Sequence, residues 1–278
     1  MAVRQPGDSG RTSWSMEDIP YGTLAHDQVR DDQLLFHLLA SASFIEITSH
    51  LYTQTLVEFF RGDGDVVEWL EQNWVSEELQ HGEALKRYVQ TAWPDFDWET
   101  AYGHFLAEYS QLCTIDQLAG TKALEMAARC VVETGTASFY RMLSVVTREP
   151  VLRQLAAEIS ADEVRHYKYF YRYFRRYQAL ERPSRAAVLG ILWNRSAEID
   201  AEDALYAFKA VYLAANPDPG FQKSEYEAYR KSVFQLGKRD FPYEMAVKML
   251  LKPLGLPPMV ARAVVPAVTS ATRLFLIR

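Results

Sequence analysis

Cysteine is nearly missing: Cys113 and Cys130 are the only two in 278 residues. This excludes a disulfide scaffold and a cysteine-rich zinc site, and it fits a reducing, cytoplasmic setting. Glycine and proline are few, at 13 and 12, which argues against a turn-rich all-β protein. A basic excess is also missing. Thirty Lys and Arg against 36 Asp and Glu give a net charge of −6, so no nucleic-acid partner is expected. No strand-like run of useful length occurs, and no apolar run reads as a membrane span. The most apolar stretch, residues 263–272, lies between Arg262 and Arg273 and is too short to cross a bilayer. The first 18 residues carry acids and lack the apolar core of a secretory signal.

What the chain has is apolar and aromatic side chains at helical spacing. Aromatics make up 13% of it, the opposite of a disordered composition. Leu34, Leu35, Leu38, Leu39, Ala42, Ile45, Leu51 and Leu56 recur on one face, with no Gly or Pro before Gly62. This predicts one long helix from Asp31. Asp65 is the expected cap of a second helix over 66–91, which stops before Pro94. Asp97 caps a third segment over 98–113. Further long helices are expected over 115–146 and 151–181, the last ending at Pro183. Four of these exceed the usual globular length of about 11–12 residues. Such helices bury their apolar stripes side by side, so the expected fold is all-α, a four-helix bundle. Shorter helices are expected over 184–195, 201–215, 224–236 and 243–251, with a last helical piece after Pro258. The expected organisation is a flexible arm (1–26), a bundle (27–182) and a helical extension packed on the bundle (183–278).

Two of the long helices repeat one motif. The second carries Glu78-Leu-Gln-His81 and the fifth carries Glu163-Val-Arg-His166. Residues three apart stack on one helix face, so each pair can grip one metal ion. A bundle centre of this kind needs one more Glu from each remaining long helix. Glu46 and Glu133 sit mid-helix among apolar and small residues, where an unpaired carboxylate would be costly. Four carboxylates balance two divalent cations, so the set neutralises itself. Carboxylate and imidazole donors suit iron or manganese better than zinc. Glu77, four residues before His81, is a rival to Glu78. His50, one turn after Glu46, is a weaker ligand candidate, and His37 and His104 have no carboxylate three residues before them.

The sequence here resembles the ferritin-like di-iron carboxylate superfamily, and most of all its soluble acyl-carrier-protein desaturases. Trp74-Val-Ser-Glu-Glu78-Leu-Gln-His81-Gly82 is similar to the Glu-Glu-x-x-His-Gly stretch of that family. Ala161-Asp162-Glu163-Val-Arg165-His166 is similar to its Ala-Asp-Glu-x-Arg-His stretch. Glu46 with Tyr52, and Glu133 with Thr136, fit its other two ligand helices. The resemblance covers roughly residues 31–180. It implies a ferritin-like bundle with Glu46, Glu78, His81, Glu133, Glu163 and His166 as ligands of two iron ions. It also implies Asp162 as an outer partner of a ligand His and Thr136 beside the oxygen pocket. The activity implied is O2-dependent desaturation or hydroxylation of an apolar, acyl-type substrate, fed by an external electron donor. Similar ligand orders occur in aldehyde-deformylating oxygenases and amine N-oxygenases. The latter carry a further His where this chain has Ile159. Oxidation of a small amine or aldehyde is therefore the alternative activity, and a non-enzymatic iron-binding protein is a further one.

Several residues around the motifs, and the tail, carry expectations of their own. Thr136, one turn past Glu133, is placed to donate a hydrogen bond at the metals. Arg129, one turn before Glu133, is placed to pair with a ligand carboxylate, to hold a substrate carboxylate, or to bridge to an acid elsewhere. Ala42, Ser43, Ser49 and Thr53 leave room beside Glu46. Phe44, Phe139, Tyr140, Tyr169 and Phe170 are candidate walls of an apolar pocket. After Glu244 no acid occurs, and Lys248, Lys252, Arg262, Arg273 and Arg278 give the tail +5. Such a tail can meet an acidic carrier protein or a membrane surface, or dock on its own bundle. A homodimer is a further expected partner state.

Overall fold

A computed structural model describes residues 14–111, 118–198, 202–216 and 220–277. Among these residues the regular structure is helical throughout, with no strand. Twelve α-helices follow in order: α1 (Gln33–Ile47), α2 (Ser49–Phe59), α3 (Gly64–Trp69), α4 (Val75–Ala92), α5 (Trp98–Tyr109), α6 (Lys122–Val146), α7 (Pro150–Glu181), α8 (Arg185–Glu198), α9 (Glu202–Ala215), α10 (Lys223–Gly237), α11 (Tyr243–Leu251) and α12 (Pro258–Ile277).

Local chemistry sets the starts of four of these helices and the end of one. Asp32, Asp97 and Thr121 accept backbone N–H bonds at the starts of α1, α5 and α6, satisfying donors that the first turn leaves free. Glu149 does the same for α7, where it accepts from the N–H groups of Val151 and Leu152 ahead of the N1 proline Pro150. Arg182 ends α7 in the left-handed conformation, just before Pro183.

Two long helices are interrupted where single ones were expected. Thr48 separates α1 from α2, and its hydroxyl bonds back to the carbonyls of Phe44 and Ile45. A five-residue π-helix, Leu70–Trp74, joins α3 to α4. It widens the turn just ahead of Glu77 and Glu78, and such bulges are frequent at functional sites. The helix cap before α3 is Asp63, not Asp65, whose carboxylate instead takes an ion pair from Arg176 at 2.5 Å. The third segment ends at Tyr109 rather than Cys113, with a turn at 110–111, and the fourth helix starts at Lys122 behind its cap Thr121 rather than at residue 115, since 118–121 are not helical; residues 112–117 lie outside the described residues.

The N-terminal arm is not free from Trp14 onward. Trp14, Ile19, Tyr21 and Leu24 are buried. The Tyr21 hydroxyl donates to the Ala84 carbonyl of α4 at 3.0 Å, and the Ala25 N–H donates to Glu149 at 3.2 Å. Four apolar side chains and these bonds outweigh the conformational entropy of so short a segment. Glycine-, serine- and arginine-rich composition nearby hid that anchor.

The helices that carry the motifs lie against one another. α6 pairs with α7 along their length, α1 with α4, and α4 with α7. α1 is apolar on nearly every side, so it needs several neighbours. It finds them in α4, α5, α9 and α10. α8, α10 and α11 pack on α6, so the C-terminal third touches the same core. Taken together, residues Gln33–Phe59 are long and apolar enough to cross a membrane by length and composition, although no such span was expected from the sequence. In the fold, 61% of its most apolar 18-residue window is buried inside the molecule, and the stretch carries Glu46.

Apolar packing forms two clusters. One holds Leu39, Phe44, Leu85, Trp98, Tyr140, Leu155 and Ile159. The other holds Leu56, Trp69, Met126, Cys130, Phe170 and Phe174. Along α7 the switch falls between Ile159 and Tyr167, and the residues between them are Ser160 to His166. The polar motifs thus occupy the seam between two dry cores.

Gly82, directly after His81, lets α4 approach α1 at Ile47. A Cβ at Gly82 would lie 2.5 Å from the Ile47 nitrogen and closer still to its Cγ1. Gly82→Ala is expected to push the helices apart at a cost of about 1–3 kcal/mol, seen as a fall in Tm of roughly 3–9 °C. Because Ile47 follows Glu46, metal content should fall as well. An unchanged Tm with full metal content would contradict the close approach.

Candidate metal centre

Glu46 comes from the last turn of α1, Glu78 and His81 from α4, Glu133 from the middle of α6, and Glu163 and His166 from the middle of α7. All six are buried, His81 completely. They form two overlapping groups, Glu46–Glu78–His81–Glu163 and Glu78–Glu133–Glu163–His166. In each group one oxygen or nitrogen per residue lies within 4.8 Å of every other. Glu78 and Glu163 belong to both, so the groups are adjacent and share two carboxylates. His50 joins neither, and its Nδ1 bonds the Ile47 carbonyl at 2.9 Å.

The histidines are held from behind in a pseudo-symmetric way. His81 Nε2 bonds Asp162 at 3.1 Å, and His166 Nε2 bonds Glu77 at 2.7 Å. Arg165 donates to both of these acids, at 2.7 and 2.8 Å. The acid before each Glu-x-x-His therefore supports the histidine of the other motif. With Nε2 committed outward, each Nδ1 faces the centre. His81 Nδ1 lies 3.2 Å from Glu163, and His166 Nδ1 lies 3.0 Å from Glu78 and 3.6 Å from Glu133.

These inward atoms are close together yet poorly aligned with one another. His81 Nδ1, His166 Nδ1, Glu133 Oε2 and Glu163 Oε1 are all shut off from solvent without a hydrogen-bond partner. Buried polar atoms normally find partners. Four that converge on one space, two of them imidazole nitrogens oriented by outer acids, fit metal ligation. The donor set is oxygen and nitrogen only, with no thiol. Cys130 is a buried free thiol, raised well above the usual range by burial and by Glu133, and Cys113 lies outside the described residues.

Titration behaviour reports the same crowding. Burial and the charges of Glu78 and Glu163 hold the Glu46 carboxyl well above the usual range. Burial and Glu163 raise Glu78 and push Glu133 up to about 8. Burial also works to raise Glu163, but the close approach of His81 Nδ1 and the charges of His166 and His81 outweigh it and bring it to about 2. For His81, burial favours the neutral ring, yet Asp162 and Glu163 prevail and raise it to about 10. His166 is likewise raised well above its usual value against burial, by Glu133, Glu77 and Glu78. Protons at these sites do the charge balancing that cations would do.

Hydroxyls complete the surroundings. Thr136 Oγ1 lies 2.7 Å from Glu163 Oε2, to which it donates, and 3.3 Å from the carbonyls of Val132 and Glu133. The Tyr140 hydroxyl donates to Glu46 at 2.5 Å, a contact that its place in an aromatic run gave no hint of. The Trp14 indole N–H donates to Asp162 at 2.8 Å, and its ring stacks parallel to that of His81 at 6.2 Å.

Arg129 looks away from the centre. Its Nε pairs with the fully buried Glu125 at 3.0 Å, and its guanidinium lies over the Tyr52 ring at 4.4 Å. Tyr52 donates to the same Glu125 at 3.1 Å. Of the three partners open to Arg129 in the sequence, the acid elsewhere is the one it takes. Glu133 acts on it only as a more distant charge. The aromatic residues expected to wall one pocket divide between the two cores. Phe44 packs against Trp98, Tyr102 and Phe105, whereas Phe170 packs on Trp69 and Trp74. Ser43 uses its hydroxyl to accept from Trp98.

Comparison with protein-family models, characterised proteins and solved structures finds no match to this chain.

Proposed function

We propose that the chain is a ferritin-like di-metal protein that binds two iron or manganese ions and uses O2 to oxidise an apolar, acyl-type substrate. The observation that carries this reading is the pair of overlapping ligand groups sharing Glu78 and Glu163. Two divalent cations there would have Glu46 and His81 as the outer ligands of one, and Glu133 and His166 of the other. The shared carboxylates would lie between them. When bound, such a metal pair supplies the electrons that O2 needs in order to attack an unactivated C–H bond.

The chain's own residues have definable tasks in this reading. Asp162 and Glu77 fix the histidine rings so that Nδ1 faces inward. Arg165 keeps both acids charged and in place. Thr136 holds Glu163 through its hydroxyl and can pass a proton from that oxygen, which makes it the candidate catalytic residue. Tyr140 orients Glu46 and keeps its own proton, since burial and Glu46 hold its phenol well above the usual range. Trp14, Asp162 and His81 form a continuous hydrogen-bonded path from the N-terminal segment to the centre. That path suits entry of an electron from an external donor protein. The two dry clusters on either side exclude water, which strengthens every charge interaction between them.

The test is anaerobic loading with Fe(II), followed by O2 and candidate substrates, with mass spectrometry of products. O2 uptake coupled to loss of two hydrogens or gain of one oxygen on an acyl chain is expected. Turnover of an amine or aldehyde, with every acyl chain unchanged, would replace the substrate class and leave the metal reading intact. Repeated oxidation of added iron in a large multi-subunit shell would favour storage instead.

A further inference from the structure

Helix α12 is the least accounted-for element of the fold. It spans Pro258–Ile277 and packs on α11. Ala261, Val264, Val265, Thr269 and Thr272 are its half-buried positions, and at 100° per residue they lie on one side. The opposite side should be polar in a helix that meets only water. It is instead Met259, Val260, Ala263, Ala267, Ser270 and Leu274, all exposed. Met259 is 83% exposed and Leu274 59%. Arg262 and Arg273 flank this face, and no acid occurs on the helix.

A basic cavity opens beside it. About 350 Å³ is lined by Arg239, Phe241, Tyr243, Thr269 and Arg273, with Glu244 at its edge. Glu244 is engaged by Lys248 at 2.5 Å. Among the described residues no ion pair joins Arg239, Arg262 or Arg273 to an acid. The Thr269 hydroxyl, on this wall, is shut off from solvent without a hydrogen-bond partner. Two free guanidiniums and an unsatisfied hydroxyl are the donors that a phosphate oxygen takes.

We infer that α12 lies on an anionic lipid surface, its outer face in the acyl boundary and a headgroup phosphate in the Arg239–Arg273 cavity. Charge selects this occupant. Residues 245–278 carry +5, so against a whole-chain charge of −6 the preceding 244 residues carry −11. A negatively charged bilayer attracts the tail and repels the body, which orients the molecule. An acidic carrier protein would satisfy the arginines but leave the apolar face in water. A second copy packed helix to helix would bring two basic segments together. The inference rests on α12, the cavity beside it and the distribution of charge along the chain, and does not depend on the metal centre.

Flotation of the full-length protein with phosphatidylcholine vesicles, with and without phosphatidylglycerol, tests it. Binding to the anionic vesicles is expected, with little to the neutral ones and weakening in high salt. Each arginine near the surface is worth about fivefold, so the double substitution R239Q and R273Q should weaken binding roughly 25-fold. Leu274→Asp should weaken it at least tenfold through the apolar face. Both variants should keep the wild-type circular dichroism and Tm, because these side chains face outward. No flotation with anionic vesicles, or equal flotation of the variants, would overturn the inference. So would a dimer that Leu274→Asp converts to monomer in a protein that ignores vesicles.

Discussion

Glu163→Ala is expected to bind no metal, whereas His81→Ala is expected to keep about one ion per chain. The difference follows from the overlap of the two ligand groups. Glu163 belongs to both, facing His81 at 3.2 Å with one oxygen and accepting from Thr136 at 2.7 Å with the other. Removing it takes a carboxylate from both positions at once and leaves the remaining charges unbalanced. Glu78→Ala should behave alike. His81 belongs to one group only, so its loss leaves Glu78, Glu133, Glu163 and His166 intact. Asp162→Asn and Glu77→Gln, which touch the rings from outside, should retain two ions but bind them 10- to 100-fold more weakly. Elemental analysis of freshly loaded protein reads all of these. Two ions in Glu163→Ala would remove the shared-carboxylate arrangement. Removing one partner of a buried ion pair is itself destabilising by about 3–5 kcal/mol, so circular dichroism of each variant is read beside its metal content, and the comparison is made between variants that keep the helical spectrum.

The metal-free protein should lose stability as pH rises from about 6 to 9, and bound metal should reverse that trend. His81 is raised to about 10 and His166 is raised well above its usual value. Their stabilisation is complete below the unfolded value of about 6.5 and is lost as pH climbs through the folded value. Glu133 is pushed up to about 8, and Glu46 is raised as well. Above those values each becomes a buried charge, so both act in the same direction as the histidines. Asp162 and Glu163, held near 2, stabilise at any pH above about 4 and contribute no slope in this window. Each extra proton held by the folded state is worth about 1.4 kcal/mol per pH unit. With two or more such protons, the metal-free Tm should fall by several degrees per unit. Metal ions displace those protons, so the loaded protein should hold or gain Tm over the same range. Thermal melts at pH 6, 7, 8 and 9, with chelator and with Mn(II), decide it. A metal-free Tm that rises with pH would contradict the proton-filled centre.

The site was legible in the sequence where helical spacing alone determines geometry. Glu78 with His81, and Glu163 with His166, stack because residues three apart must do so on a helix, and Glu46 and Glu133 stood out as acids among apolar neighbours. What composition could not show was pairing between helices. Glu77 is the counterpart of Asp162: each precedes a Glu-x-x-His and supports the opposite histidine. The common pattern acid-Glu-x-x-His was visible in both segments, but only crossing the helices gives it meaning. Arg129 sits on the same face as Glu133, yet Glu125, four residues before it and fully buried, is the nearer acid. Trp14 was hidden because a short anchor within polar sequence has no period. The interruptions at Thr48 and at Leu70–Trp74 left no signal either, since one unpaired turn barely disturbs an apolar stripe. Both interruptions flank a site residue, which is where local rules are most often broken.

Anomalous X-ray scattering from crystals of the metal-loaded protein tests most directly whether two metal ions share Glu78 and Glu163. Data collected on either side of the iron or manganese edge should show two peaks about 3.5–4 Å apart, the spacing usual for two-metal sites. One peak should lie beside Glu46 and His81, the other beside Glu133 and His166. A single peak, a pair of peaks elsewhere in the molecule, or no peak in protein loaded to saturation would contradict that arrangement.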